Sequence, residues 1–222
     1  MKTIAVIPAY NECKTVLTVA QKVKNFVDQV LVVDDGSQDN TYEQLKHLAP
    51  NIIVLRHEIN LGKGAALKTG CDAAVQAGAD YIVCLDADSQ HDPKSIPSFI
   101  KAFNNQNNQV DVVFGVRQFN NRMPFMMLMG NKALSVMINL LFHVLVHDTQ
   151  SGFRAFTSQA YKMLRWKSNG YEVETEIIVR MSQHELQYTE VDIDTIYHDS
   201  YKGTTALDGV KIFFQILKWK LL

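Results

Sequence analysis

The most chemically suggestive residues of this chain are two carboxylates at the end of an apolar run. Asp86 and Asp88 follow the run at residues 81–85, and Gln90 stands shortly after them. Because alternate side chains of a strand share a face, the two acids point to one side and Ala87 to the other. Three such oxygen donors suit Mg²⁺ or Mn²⁺, which complete their coordination with water and phosphate.

A helix cap is the competing interpretation of the same segment. Asp88 or Asp92 could cap a helix that begins at Pro93, since proline is common at the first helical position. A cap needs only one acid, whereas the segment offers a pair. The sequence by itself leaves both a metal site and a cap open here.

The elements that must position these residues can be read from the apolar pattern. Continuous apolar runs at 3–10, 30–33, 52–55, 81–85 and 110–116 alternate with amphipathic helical patterns. This alternation predicts an α/β fold with a mostly parallel sheet covered on both faces. Ligands of such sheets bind beyond the carboxyl ends of the strands. The polar clusters that fall at those ends are Tyr10 and Glu12, Asp34 and Asp35, Lys63, Asp86 and Asp88, and Arg117.

The order of these clusters resembles the motif order of family 2 glycosyltransferases. The matching segments are Pro8 to Glu12, Asp34 to Ser37 with Asp39 and Thr41, Leu61 to Gly64, Asp86 to Asp88 with Gln90 and His91, and Ser151 to Arg154. The chain is most similar to the subgroup of dolichol (polyprenyl) phosphate mannose synthase-like enzymes. The resemblance covers roughly residues 3–160. It implies a GT-A fold, which is a Rossmann-like sheet flanked by helices, with a nucleotide-diphosphate sugar donor, a divalent metal and inversion at the anomeric carbon.

The diphosphate leaving group of such a donor gathers negative charge as the glycosidic bond breaks. A metal held by Asp86, Asp88 and Gln90 would stabilise that charge as a Lewis acid. Arg117, just past the fifth strand, could add a bidentate clamp. Composition alone favours a solvated loop arginine at this position. The resemblance implies instead that Arg117 contacts the donor phosphate.

The nucleoside end of the donor site is predicted beside the first two strands. Asp35 could accept hydrogen bonds from a base or a ribose, and Pro8, Tyr10 and Glu12 would form the walls of the same pocket. The alternative is that residues 34–37 form only a turn with an Asp cap.

Lys63 lies at a glycine-flanked helix start, where backbone amides and the helix dipole favour an anion. A glycine-rich helix opening is also common without any ligand. A dinucleotide fingerprint fits poorly, because the glycines follow the third strand rather than the first. Two further residues join the predicted donor site: Ala87 in the metal segment, and Lys202, which stands roughly where the related subgroup carries a late basic residue.

The acceptor is predicted from residues 148–154. Asp148 stands where hydroxyl-acceptor relatives carry an acidic general base. A phosphate monoester is already ionised near pH 7, since its second pKa is about 6, and needs a cation more than a base. Arg154 could supply that cation, with Asp148 orienting its neighbours or capping a helix. The alternative is an Asp148–Arg154 salt bridge that closes the loop.

Two segments carry membrane-like patterns. Residues 125–147 are largely apolar with a narrow polar stripe, and residues 206–222 place Lys and Trp beside a broad apolar arc. The polar residues of the first segment are Asn131, Ser135, Asn139, His143 and His147. We expect an interfacial helix at 125–147 within a glycosyltransferase domain at 1–205, and a C-terminal amphipathic helix at 206–222. Helices docked on the core, or on a second subunit of a homo-oligomer, are the alternatives.

Composition agrees with this interpretation. The chain has 222 residues, 47% of them hydrophobic, which suffices for one α/β core. A net charge of −1 predicts no nucleic-acid partner. Three cysteines without metal-finger spacing, and an apolar start too short for a signal peptide, predict a cytoplasmic enzyme at the cytoplasmic membrane face.

The sequence thus predicts a metal-dependent inverting transferase that moves a hexose, of mannose or glucose type, to a polyprenyl phosphate. A first alternative is transfer to a saccharide or lipid hydroxyl with Asp148 as base. A second alternative is a sugar-nucleotide-binding protein without turnover.

Overall fold

A seven-stranded mixed sheet forms the centre of the described part of the chain, which a computed structural model gives as residues 1–46, 50–104, 109–117, 125–195 and 206–221. The strands are β1 (Thr3–Ala9), β2 (Gln29–Asp35), β3 (Ile52–His57), β4 (Tyr81–Cys84), β5 (Val112–Arg117), β6 (Arg154–Thr157) and β7 (Tyr188–Ile193). Their spatial order is β3-β2-β1-β4-β6-β5-β7. All neighbours pair in parallel except β6, which is antiparallel to β4 and to β5.

Helices cover both faces of the sheet. They are α1 (Val16–Val23), α2 (Thr41–Leu45), α3 (Lys63–Gln76), α4 (Ile96–Phe103), α5 (Phe125–Phe142), α6 (Ser158–Leu164), α7 (Val173–Gln183) and α8 (Ala206–Leu221), with a short 3-10 helix at Pro93–Ser95. Alternate residues of β1 enter different cores: Ile4 and Val6 pack with α3, α5, α7 and α8, while Ala5 and Ile7 pack with α1 and α4. Burial on both faces explains the continuous apolar runs, and the prediction of a mostly parallel α/β sheet is confirmed.

The antiparallel strand β6 is absent from the sequence prediction. It has four residues and begins with Arg154, so it carries no apolar run of the usual length. Its insertion between β4 and β5 carries the preceding loop, residues 148–153, to the same sheet edge as Asp86.

Helix α5 ends earlier than predicted. It stops at Phe142, and the next residue, His143, has a positive φ of 58°, which ends the helical path. The predicted polar stripe is therefore divided. Asn131 and Ser135 are buried against the following loop, with Ser135 donating to the carbonyl of Val146 at 2.5 Å. His147, beyond the helix, pairs with Glu190 instead.

Helix α8 docks on the core through one face. Ile212 and Ile216 are buried in the cluster that also contains α5 and α7, whereas Phe213 and Phe214 are exposed. Within the described residues, no helix is both long enough and apolar enough to span a bilayer.

Candidate active site

A cavity of about 470 Å³ opens at the carboxyl ends of the parallel strands, where the sequence places the donor. Predicted site residues that line it are Pro8, Tyr10, Glu12, Asp35, Lys63, Asp86, Ala87, Asp88, Gln90 and Arg117. Other lining residues are Ala9, Asn11, Asn60, Gly62, Ala66, His91, Gln150, Ser151, Gly152, Gly170, Tyr171 and Glu174. The strand ends and loops of the fold thus bring together residues that are far apart in sequence.

Asp86 lies between two basic side chains. Its Oδ1 is 2.7 Å from Nζ of Lys63, and its Oδ2 is 3.7 Å from Nε2 of His91. Burial opposes ionisation, but the charge of Lys63 and the contact with His91 lower the pKa of Asp86 well below its usual value. Asp86 is therefore a stable anion at the cavity wall.

Asp88 occupies a different environment although it is only two residues away. Its Oδ1 accepts a hydrogen bond of 2.9 Å from the backbone amide of Gln90. Burial, and then repulsion from Asp86, raise the pKa of Asp88. Both residues lie beyond the end of β4 at Cys84, and Asp88 stands in a turn, so this turn and not the alternation of a strand brings the two carboxylates to the same cavity.

The carboxylate oxygens at this position are of the type that hard divalent cations prefer. Across the described ranges, no group of three or more His, Cys, Asp and Glu side chains is arranged to hold a metal by itself. Asp86 and Asp88, with Gln90 lining the same cavity, fit a metal that takes two carboxylates from the protein and completes its coordination with phosphate and water. The cap interpretation applies to Asp92, whose Oδ1 accepts from the amide of Lys94 at 3.0 Å.

Gly152 allows the acceptor-side loop to pass directly over Asp86. A Cβ on Gly152 would lie 2.8 Å from Cγ of Asp86, closer than real carbon atoms approach. Only a residue without a side chain fits here unless the carboxylate moves.

At the end of the cavity where the sequence predicts the nucleoside, Asp35 is held by the protein itself. Its Oδ1 accepts from the amide of Leu61 at 3.0 Å and contacts Nδ1 of His57 at 2.6 Å, while Oδ2 accepts from the amide of Gly62 at 2.8 Å. Asp35 therefore fixes the loop before α3 as well as lining the cavity. Tyr10, 40% exposed, presents a ring at the same wall.

The turn interpretation of residues 34–37 also holds in part. The amide of Ser37 donates to Oδ1 of Asp34 at 3.2 Å, and the Ser37 hydroxyl accepts from the amide of Asn11 at 2.9 Å. Burial would raise the pKa of Asp39, but hydrogen bonds from Thr41 and Cys13 outweigh it and lower that pKa to about 2. This network holds the segment after β1 in place.

The backbone amides at the start of α3 do not form the expected anion site. The amides of Gly64 and Ala65 donate to the carbonyl of Asn169 at 2.7 and 3.2 Å. A Cβ on Gly64 would clash with the same loop. The glycine that follows Lys63 therefore serves close packing of the loop against the helix, while the Lys63 side chain lines the cavity.

Arg117 and Asp148 form a buried pair. Nε and Nη2 of Arg117 donate to Oδ2 and Oδ1 of Asp148 at 2.6 and 2.9 Å, and Asn131 donates to Oδ1 at 2.9 Å. Burial opposes ionisation, yet these hydrogen bonds lower the pKa of Asp148. The alternative of an Asp148–Arg154 salt bridge is wrong, because Asp148 turns toward β5.

Arg154 lies behind the cavity wall. It is 1% exposed, donates to the carbonyls of Ser151, Glu174 and Thr149 at 2.8, 2.6 and 2.9 Å, and pairs with Oε2 of Glu174 at 2.9 Å. A guanidinium that is buried and bonded in this way does not reach a ligand in the cavity. The expected contact between Arg154 and an acceptor phosphate is therefore not provided by this geometry.

The sequence analysis did not assign a site role to Glu174, Tyr171 or Gly152. Glu174 stands in the first turn of α7, where acids are common for helix-dipole reasons, so its spacing gave no distinct signal. Tyr171 places its ring 6.0 Å from Nζ of Lys63. Lys202 lies outside the described residues.

Comparisons with known proteins identify the family and the fold of this chain. The family described as "Glycosyl transferase family 2" matches residues 4–165. A UDP-N-acetylglucosamine–dolichyl-phosphate N-acetylglucosaminyltransferase of Methanococcus voltae is 35% identical over 239 residues, covering 97% of this chain and 95% of the relative. A dolichyl-phosphate beta-glucosyltransferase of Trichomonas vaginalis is 28% identical over 247 residues, covering 97% of this chain and 75% of the relative. The crystal structure of glucosyl-3-phosphoglycerate synthase from Mycobacterium tuberculosis with UDP superimposes with a TM-score of 0.77 at 20% identity, covering 100% of this chain and 80% of that one.

Proposed function

Because this chain belongs to glycosyltransferase family 2, we propose that it transfers a sugar from a UDP-sugar to a polyprenyl phosphate of the dolichyl type. The names of the relatives from M. voltae and T. vaginalis support this acceptor class. They also favour N-acetylglucosamine or glucose over the mannose considered from sequence. The uridine base is proposed from the M. voltae relative.

The burial of Asp148 supports a phosphate acceptor over a hydroxyl acceptor. Asp148 is 0% exposed, and both of its oxygens accept hydrogen bonds from Arg117. A general base must reach the proton that it removes, and Asp148 is not placed to reach a hydroxyl in the cavity. A phosphate acceptor needs no such base, because it is already ionised near pH 7.

Residues at different positions along the cavity face different parts of the donor. Tyr10 and Asp35 form the nucleoside end, and Asp86 and Asp88 face the diphosphate. A divalent ion bound there would neutralise charge on the leaving diphosphate. Lys63 and Arg117 line the same wall, each paired with a carboxylate, and we propose that they donate further hydrogen bonds to the diphosphate. The acceptor oxygen attacks the anomeric carbon from the side opposite the diphosphate, which inverts that carbon.

A membrane-facing surface is part of the proposal, since a polyprenyl chain resides in lipid. Helices α5 and α8 pack together and expose apolar side chains, including Leu140 at 70% and Phe214 at 64%. Lys218 and Lys220 are exposed on the same C-terminal helix. Apolar side chains beside lysines suit the interface of an anionic bilayer. We therefore propose that the chain docks on a membrane surface through α8, within the segment 206–222 that follows the domain at 1–205, and the cysteine content motivates the cytoplasmic face.

A matched pair of acceptors tests the reaction. The purified chain would be incubated with labelled UDP-N-acetylglucosamine or UDP-glucose, Mn²⁺, and a short polyprenyl phosphate or the corresponding polyprenol. We expect labelled lipid only with the phosphate. Product with the polyprenol or a soluble sugar, and none with the phosphate, would establish a hydroxyl acceptor. UDP binding without turnover of any acceptor would establish a binding protein.

A further inference from the structure

Four charged side chains, two of them buried and two partly exposed at the cavity, form a chain of ion pairs that joins the donor side of the cavity to the loop behind it. Nζ of Lys63 lies 2.7 Å from Oδ1 of Asp86 and 2.8 Å from Oε1 of Glu174. The other oxygen of Glu174 lies 2.9 Å from Nη2 of Arg154. Acids and bases alternate, so their formal charges cancel. Glu174 is 3% exposed and Arg154 1% exposed, so bulk water does not take the place of either partner.

The position of Lys63 between two acids affects what Asp86 can bind. An ammonium paired with one carboxylate competes with any other cation for the same oxygens. If Asp86 were its only partner, Lys63 would largely neutralise a carboxylate that faces the donor. Glu174 shares this ammonium at 2.8 Å and limits its pairing with Asp86.

Resting on the proposed function, we propose that Glu174 is a positioning residue that holds Lys63 between two carboxylates and so keeps Asp86 able to bind a divalent cation with the donor diphosphate. Arg154 in turn fixes Glu174 through an ion pair and through a hydrogen bond to its carbonyl at 2.6 Å. Arg154 then acts on the donor site through Glu174 and not through contact with the acceptor.

Metal affinity in the absence of turnover gives the direct test. Mn²⁺ would be titrated calorimetrically into the full chain, with and without UDP. Glu174→Gln should weaken Mn²⁺ binding about tenfold, the lower end of the range for residues that support metal ligands. Lys63→Met should strengthen Mn²⁺ binding without UDP, because two acids then lack their cation. Weaker binding in both variants would overturn the proposal.

A double variant separates positioning from a simple loss of charge. In the Lys63→Met background, Glu174→Gln should weaken Mn²⁺ binding by a clearly smaller factor, since no ammonium remains to move onto Asp86. Equal factors in the two backgrounds would mean that Glu174 acts only as a distant charge. Glu176→Gln is the matched control on the same helix, because Glu176 contacts the amides of Lys167 and Ser168 and the side chain of Arg180. We expect its Mn²⁺ affinity to stay within about twofold of the wild type, as expected for a site with no contact to the ligands.

Thermal unfolding of each variant identifies a folding defect. If Glu174→Gln does not fold, Glu174→Asp keeps the charge and shortens its reach, and should still weaken Mn²⁺ binding severalfold. Unchanged binding in a folded Glu174→Asp variant would then overturn the inference. A wild-type chain that binds UDP but not Mn²⁺ would overturn the metal dependence of the proposed function. Wild-type binding with equal affinities in all variants would overturn the role of Glu174 alone.

Discussion

Arg117 and Asp148 meet through two parallel hydrogen bonds of 2.6 and 2.9 Å, so that a strand end and a loop from distant parts of the chain share one buried charge pair. The sequence suggested separate tasks for them, a phosphate clamp and a base. In the fold each residue sets the position of the other. Arg117 lines the cavity, and Asp148 orients its guanidinium from behind.

Loss of one partner of this pair should destabilise the fold strongly. We expect Asp148→Asn to lower the free energy of unfolding by about 3 to 5 kcal/mol at neutral pH, since a buried guanidinium loses its counter-charge. The folded-state pKa of Asp148 lies below its ordinary value of 3.8. Its contribution is therefore present above that value and lost as the pH falls through the folded pKa.

Urea unfolding across pH checks both parts of this prediction. The stability gap between wild type and Asp148→Asn should stay constant at neutral pH and shrink as the pH falls below 3.8. Asp192→Asn, a change at an exposed position of β7, serves as control and should show a gap near zero throughout. A stability gap for Asp148→Asn that widens in acid would refute the lowered folded-state pKa of Asp148.

Asp88 and Asp92 provide a matched pair for the metal site. Asp88→Ala should abolish Mn²⁺-dependent binding of the sugar nucleotide and all transfer, because one of the two carboxylates proposed to bind the metal is lost. Asp92→Ala removes only a cap and should cost about 1 kcal/mol of stability with normal donor binding. Donor binding can be followed by calorimetry. Near-normal turnover of Asp88→Ala at saturating Mn²⁺ would place the metal elsewhere.

Gly152 should be intolerant of even one added carbon. Gly152→Ala would push the Asp86 carboxylate from its position, and we expect about a tenfold loss in Mn²⁺ affinity, as for other changes that shift a ligand. Gly130→Ala is the control, since a Cβ there meets nothing within 4 Å. Alanine at this helical position should raise stability by up to about 1 kcal/mol. Equal metal affinities in the two variants would contradict the contact with Asp86.

The exposed aromatic pair on α8 should determine binding to lipid. We expect the double variant Phe213→Ser and Phe214→Ser to lose flotation with anionic liposomes while its melting temperature changes little, because both rings are exposed. Removal of the whole helix is a poorer test, since Ile212 and Ile216 belong to the core. Ile53→Thr, at an exposed site on the edge strand β3, should keep wild-type flotation. Loss of flotation in both would point to a general change in solubility.

The apolar pattern predicted the strands that are buried on both faces, and with them the residues at their carboxyl ends. Asp86 and Asp88 were predicted at the correct edge of the sheet because they follow β4, although the strand ends at Cys84 and a turn, not the period of a strand, brings the two carboxylates to one cavity. Such local rules also placed Tyr10 and Asp35 at the same edge of the sheet. These predictions need only the direction of each strand and not the details of packing.

The sequence pattern did not predict which buried charged residues pair with each other. Asp148 and Arg154 are near each other in sequence, yet Asp148 pairs with Arg117 and Arg154 with Glu174. The choice depends on the short strand β6, which reverses the chain after the loop and turns Arg154 toward α7. Sequence spacing predicts contacts within one element, whereas these pairs are set by how separate elements pack.

The central place of β6 has a consequence for the order in which the sheet can assemble. Strands β1 to β4 find one another early in the chain, whereas β5 pairs only with β6 and β7, which are both made after it. During synthesis, β5 therefore has no strand to pair with until β6 (Arg154–Thr157) has been made. Until then the growing chain presents β4 as an open edge, which is a template for pairing with other chains.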